Sequence, residues 1–408
     1  MYLSNSSSFL GSGTPTKQDR FSRSNTVHTI KFKSSDFHLQ KSPCEKDRFF
    51  QSERKTSRPR LNSVPSDREN VINELPVKSK SPFFEKSPRP PIPSIPHKHS
   101  APIVIDKVLD APDVYDNPPV KLIDFSKKNE LAVALGNSVY IWDNGKVTQL
   151  LEADTPITCL CWTDNGIVIS ARGEVELWDP VRCSLIRSLN SHIEMCTTAS
   201  FVGHRLVSGG VDGMINITDT RSATSMAYNS YHNTITSLSW SPDGIHFASA
   251  GSDSKVCIWG DQKRRTFKIG SPTYGVSWIS QNIFAVGESN ETGDIIITNL
   301  SHEIEQVRIN TDASISGLCY NDKWGLAVSH RNNMSNWELW APAELKRIGS
   351  YHGHTSDIVG ITGSQDGNFI ATIGTDESLR LWELREPRSR TPRGNTFHKS
   401  MSIGLPLR

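Results

Sequence analysis

Ile235-Thr236-Ser237-Leu238-Ser239-Trp240-Ser241-Pro242-Asp243-Gly244, Phe247-Ala248-Ser249-Ala250-Gly251 and Val256-Cys257-Ile258-Trp259 are three short β-type runs separated by turn residues, the last ending at a tryptophan. The Ser-Pro-Asp-Gly step closes a hairpin, because Pro presets φ and Gly accepts the left-handed region. Outward from this stretch, a β-type run ending at Trp, or at a Thr in its place, occurs seven times. The ends are Trp142, Trp178, Thr218, Trp259, Thr298, Trp340 and Trp382, with spacings of 36, 40, 41, 39, 42 and 42 residues. That is the repeat length of a four-stranded propeller blade. Side chains alternate along each run, so one face can bury its apolar set against the next repeat. No repeat can bury that face alone. The pattern therefore predicts an all-β chain closing into a seven-bladed β-propeller.

The fourth repeat has His232 ahead of its first run and Asp253 before Trp259. The seventh has Gly353-His354, Asp366-Gly367, Ala371-Thr372-Ile373-Gly374 and Asp376 before Trp382. These residues resemble the WD-repeat signature, in which His, Asp, Ser or Thr and Trp form a buried hydrogen-bond chain. Recurring His and Asp look like a catalytic pair, but at repeat spacing they read as satisfied structural groups. The third and fifth repeats lack the Trp, and the fifth, around Gly287 to Asp294, is the loosest match.

After Trp382 the chain reads Glu383-Leu384-Arg385-Glu386-Pro387-Arg388, too polar for a fourth strand in the last blade. Ile103-Val104-Ile105 or Val108-Leu109, just upstream of the first repeat, is expected to complete it and close the ring. This divides the chain into a tail at 1–101, a propeller at 102–385 and a flexible C-terminal tail at 386–408. Residues 1–105 hold 19 Ser and 12 of the 23 Pro and carry a net charge of +9, against −7 for the remainder. Such a basic, Ser/Pro-rich segment cannot bury enough surface to offset ordering entropy, so disorder is expected. Its cations are dispersed among Ser-Pro steps without interleaved aromatics, which argues against nucleic acid as a partner.

The seven Cys show no metal spacing; Cys159 and Cys161 share a strand face and read as core. Unpaired thiols suit a reducing compartment, and no apolar leader or spanning run is present, so a soluble protein of nucleus and cytoplasm, without membrane association, is expected. There is no phosphate loop, nucleophile elbow or carboxylate-pair motif, so neither an enzyme nor a cofactor is expected. Function should come from binding.

Lys107-Val108-Leu109-Asp110-Ala111-Pro112-Asp113, Val120-Lys121-Leu122-Ile123-Asp124-Phe125-Ser126 and Leu131 to Trp142 resemble the fizzy and fizzy-related family, substrate-recruiting co-activators of the anaphase-promoting complex, a ubiquitin ligase. Ser208-Gly209-Gly210, Asp219-Thr220-Arg221 and His354-Thr355-Ser356 match further segments, and the resemblance covers about residues 104–383. It implies partners: subunits of the ligase, degron-bearing substrates such as cyclins, and a cyclin-dependent kinase as regulator, in mitotic or meiotic proteolysis.

The resemblance also assigns sites. Asp47-Arg48-Phe49-Phe50 resembles the family's C box, which docks the co-activator on the ligase, although Gln51 stands where the family has Pro. The terminal Leu407-Arg408 resembles its Ile-Arg tail, and two weak contacts on one chain multiply through effective concentration. For the destruction box, a degron bound between the first and last blades, Glu377 occupies the family's acidic position. The second acid aligns with Asn117, next to Asp116. For the KEN box, bound on the upper face, Asp124 occupies the acidic position, but Asp357 replaces an expected Arg. Segments Gly287 to Thr292 and Ser329 to Asn336 are altered as well, so weak KEN binding is expected. Ser42-Pro43, Ser81-Pro82, Ser87-Pro88 and Thr391-Pro392 present proline-directed phosphorylation sites at Ser42, Ser81, Ser87 and Thr391. Two other readings are a WD-repeat scaffold not bound to this ligase and a lipid-binding propeller of the autophagy type. The latter needs Phe-Arg-Arg-Gly, which this chain lacks.

Overall fold

The computed structural model describes residues 29–30, 103–116, 120–229, 233–260, 265–301, 305–331 and 336–384. Every regular element in them is a strand, and the strands form seven sheets, six of four strands and one of five. The first blade runs from the channel outward through Ile123–Phe125, Leu131–Leu135, Ser138–Asp143 and Lys146–Glu152. In every blade the third strand is the predicted Trp- or Thr-bearing run. Turn chemistry sets the hairpins: in the fourth blade Gly244 takes φ +68° and its N–H donates to the Ser241 carbonyl at 2.8 Å. The fifth blade, weakest in sequence, still has four regular strands from Thr273 to Asn310.

Both segments expected to close the ring belong to one strand, Ile103–Asp110, which pairs antiparallel with Ser378–Leu384. A bulge between Ile105 and Lys107 keeps the two halves in register. On its outer side Thr29–Ile30 adds a fifth strand in parallel, with Thr29 opposite Val108 and Ile30 opposite Leu109. Leu109, Leu379, Leu381 and Ile373 of this last blade pack with Ile123, Val133 and Trp142 of the first. Burying each such Leu or Ile stabilises the closure by about 1.5–3 kcal/mol.

Neighbouring blades are stitched by polar bonds between inner strands. The hydroxyls of Thr158, Thr197 and Thr236 donate to the carbonyls of Cys196, Ile235 and Thr273 in the following blade. The indoles of Trp162, Trp240 and Trp278 donate back to the carbonyls of Asp124, Ser200 and Ser239 in the preceding one. Each bond satisfies a buried group that apolar packing alone would strand.

The recurring His and Asp are structural. In the seventh blade Trp382 Nε1 donates to Thr372 Oγ1 at 2.9 Å, Thr372 Oγ1 meets His354 Nε2 at 2.8 Å, and His354 Nδ1 meets Asp376 at 2.9 Å. The third blade repeats the chain with His192, Ser208 and Asp212, while Asn190 donates to Thr218 where the Trp is missing. In the fourth, Trp259 donates to Ser249 at 2.9 Å, and His232 lies outside the described residues. Burial works against ionisation of Asp212 and Asp376, but bonds from the histidine and from backbone N–H groups outweigh it and hold both carboxyls below the usual range. Blades two and six use another solution, with Trp178 and Trp340 donating to the buried carboxylates of Glu176 and Glu338. Cys159 and Cys161 share a core cluster with Val168, Leu177 and Leu206, and burial pushes the Cys161 thiol up to about 12.

Candidate functional site

Between the seventh and first blades lies a groove of about 660 Å³. Its floor is apolar, from Leu109, Ala111, Val133, Leu135, Trp142 and Val147, and its rim carries Asp110, Asp113 and Glu152. Local backbone explains its shape. Asp113 and Gly136 both adopt left-handed φ, of 58° and 54°, and the Gly136 N–H donates to the Asp113 carbonyl at 2.9 Å. A side chain at Gly136 would bring its Cβ to 3.2 Å from that of Asp113, so glycine lets the leading segment lie against the first blade. Lys107 Nζ stands 4.8 Å from the centroid of the Trp142 ring.

Glu377 does not line this groove but is tied by its backbone to Ala111, which does. It is exposed, closes the hairpin between Phe369–Gly374 and Ser378–Leu384 with φ 57°, and its carbonyl accepts the N–H of Ala111 at 2.7 Å. The backbone bond fixes the position of the residue while the carboxylate projects free of hydrogen bonds to the described residues. An extended ligand lying in the groove meets apolar walls along its length and acids at the rim, which suits a chain of apolar residues carrying a cation.

The remaining positions singled out in the sequence are dispersed. Asn117 lies outside the described residues. Asp116 is committed elsewhere, to Arg331 Nη2 on the sixth blade at 2.6 Å. Burial raises the Asp116 carboxyl against the lowering effect of Arg331, and the nearby Asp357 adds to the rise. Arg331 carried no signal of its own in the sequence beyond lying in the altered stretch Ser329 to Asn336. Its guanidinium also lies 5.9 Å from the centroid of the Tyr274 ring.

Asp124 lies on the inner strand of the first blade, where Oδ2 accepts the Trp162 N–H at 2.8 Å and pairs with Lys121 at 3.2 Å. It borders a second cavity of about 210 Å³ with Lys121, Phe125, Trp162 and Phe201. Asp124 is the middle residue of the inner strand Ile123–Phe125, and Asp357 directly precedes the inner strand Ile358–Gly363. Asp47, Arg48, Phe49, Phe50, Leu407, Arg408, Ser42, Ser81, Ser87 and Thr391 all lie outside the described residues. Among the described residues no group of His, Cys, Asp and Glu is placed to hold a metal ion, and no helix is long and apolar enough to cross a membrane.

Comparison with known proteins agrees with this architecture. The family model described as "WD domain, G-beta repeat" matches residues 225–260 and 345–383. "Cell division cycle 20.5, cofactor of APC complex" of Arabidopsis thaliana is 28% identical over 307 residues, 68% of each chain. "B-type cell cycle switch protein ccs52B" of Medicago truncatula is 28% identical over 324 residues, 75% of this chain and 64% of its own. "Anaphase-promoting complex subunit cdc20" of Dictyostelium discoideum is 26% identical over 328 residues, 74% of this chain and 65% of its own. Among solved structures, a chain of the "Crystal Structure of Mitotic Checkpoint Complex" superposes with a TM-score of 0.66 at 24% identity, over 77% of this chain and 99% of that one, and supports the propeller fold. In its WD repeats, its closed seven-bladed ring and its sequence the chain is thus similar to these Cdc20-type cofactors of the anaphase-promoting complex and cell cycle switch proteins.

Proposed function

We propose that the protein is a substrate-recognition co-activator of the anaphase-promoting complex, which holds destruction-box degrons in the groove between its seventh and first blades and docks on the ligase through its two tails. It performs no chemistry itself. The observation that supports this reading best is the groove with its apolar floor, whose wall residue Ala111 is bonded to the backbone of the exposed Glu377. The degron's arginine pairs with the Glu377 carboxylate while its apolar residues cover Leu109 and Trp142. A charge-assisted bond of this kind contributes roughly 1.5–3 kcal/mol. Titration of the full chain with a fluorescent destruction-box peptide tests it. Glu377→Ala should weaken binding about 10- to 100-fold, and an unchanged affinity would remove the assignment.

KEN-box recognition is expected to be weak. Asp357 stands where the family carries Arg, and Arg331 is already bonded to Asp116. A KEN peptide should bind poorly until Asp357→Arg is made, and tight binding by the unaltered chain would contradict this.

A further inference from the structure

We propose that a segment of the protein's own N-terminal tail, Lys31-Phe32-Lys33, occupies the groove between the seventh and first blades in the resting chain, anchored by the strand that Thr29–Ile30 adds to the blade edge. The inference rests on reading that groove as the ligand site, and it makes the tail a built-in competitor for it.

The anchor is the parallel pairing of Thr29 with Val108 and Ile30 with Leu109, on the outer edge of the strand that closes the ring. That edge is where main-chain N–H and C=O groups are open to an added strand, the mode by which extended peptides dock on sheets. Direction then decides where the tail goes. The register ends with Ile30 opposite Leu109, and Leu109, Asp110, Ala111 and Pro112 are walls of the groove, so a tail continuing in that direction would head into it. An antiparallel strand at the same place would lead away from it.

The sequence that arrives there has the required chemistry. Lys31-Phe32-Lys33 sets an aromatic between two cations, and the lining of the groove combines Trp142 and Leu135 with the acids Asp110, Asp113 and Glu152. The wider charges agree, +9 on residues 1–105 against −7 on the rest. Reach is no obstacle: 72 residues separate Ile30 from Ile103, and a random coil of that length would span about 45 Å on average. Because both partners are on one chain, weak pairing suffices to populate the docked state.

A tail that fills the groove nine-tenths of the time weakens an external ligand about ten-fold. Two measurements on the full chain test the proposal. Hydrogen exchange should show the amides of residues 28–33 slowed at least about ten-fold relative to the rest of the tail, with protection lost in Thr29→Pro and in the Lys31→Glu/Lys33→Glu double variant. Fast exchange throughout the tail of the unaltered protein overturns the proposal. Both variants should also bind a fluorescent destruction-box peptide about ten-fold more tightly than the unaltered chain. Protection in the tail with no gain in peptide affinity shows docking outside the groove and overturns the competition. If the peptide binds no form of the protein, the degron reading of the groove fails instead, and release of tail protection on Asp110→Lys/Asp113→Lys then decides the docking on its own.

Discussion

Replacing Thr372 by valine removes one hydroxyl from a site where it joins two buried groups. Thr372 is fully buried, and its oxygen accepts from Trp382 Nε1 at 2.9 Å and meets His354 Nε2 at 2.8 Å. His354 Nδ1 faces the ionised Asp376, so the ring proton belongs on Nδ1 and the Thr372 hydroxyl donates to Nε2. Valine has nearly the same shape, so little packing changes, but the indole N–H and Nε2 are both left without a partner. Each buried unsatisfied group costs about 1–3 kcal/mol, and the extra methyl returns part of it, giving a net loss of about 3 kcal/mol. At ~2–4 °C per kcal/mol for a domain of this size, Tm should fall by 6–12 °C. Thr372→Ser keeps the hydroxyl and should cost about 1 kcal/mol. Urea denaturation of the full chain, as a double-mutant cycle with Trp382→Phe, isolates the bond, with an expected coupling of about 1–2 kcal/mol. A valine variant within about 0.5 kcal/mol of the parent, or full additivity with Trp382→Phe, would refute the hydrogen-bond chain as the reason these residues recur.

Acid sensitivity follows from the depressed carboxyls of Asp212 and Asp376. Their stabilisation is fully present above the unfolded value of about 3.9 and is lost as pH falls from there through the folded values, so Asp376→Asn should flatten the stability curve below about pH 4. Arg48→Ala and removal of Leu407-Arg408 should each weaken co-precipitation of the ligase and together nearly abolish it, since each removes one of two linked contacts; undiminished capture by the double variant would exclude bivalent docking. Phosphorylation of Ser42, five residues before Asp47, adds about −1.5 to −2 charge that can pair with Arg48 and withdraw it from an acidic docking pocket. Kinase treatment should therefore block ligase binding in the unaltered protein and leave Ser42→Ala unaffected, and equal binding of both forms would rule out this switch.

The ring was legible in the sequence because each blade is a local unit. The period from Trp142 to Trp382, the Ser241-Gly244 turn and the polar stretch after Leu384 announced seven blades and a missing last strand, and Ile103–Asp110 supplied it. Propensity and alternation act over a few residues, and repetition averages out weak copies such as the fifth blade. Relations between distant residues could not be read this way. His192 with Asp212 took up the third blade's polar chain where Thr218 had hidden the signature, and Glu176 and Glu338 received indole protons in place of a histidine relay. Asp116, read as a stand-in for Asn117, turned out to be bonded to Arg331, 215 residues further along, while Asp124 became a clamp on Trp162. Side-chain pairing across a closed ring depends on which loops meet at the channel, and that is set by the closure of the whole sheet order rather than by any one run. Sequence determined the blades and the composition of their faces; tertiary structure decided which charges were spent on holding blades together and which, like Glu377, were left exposed.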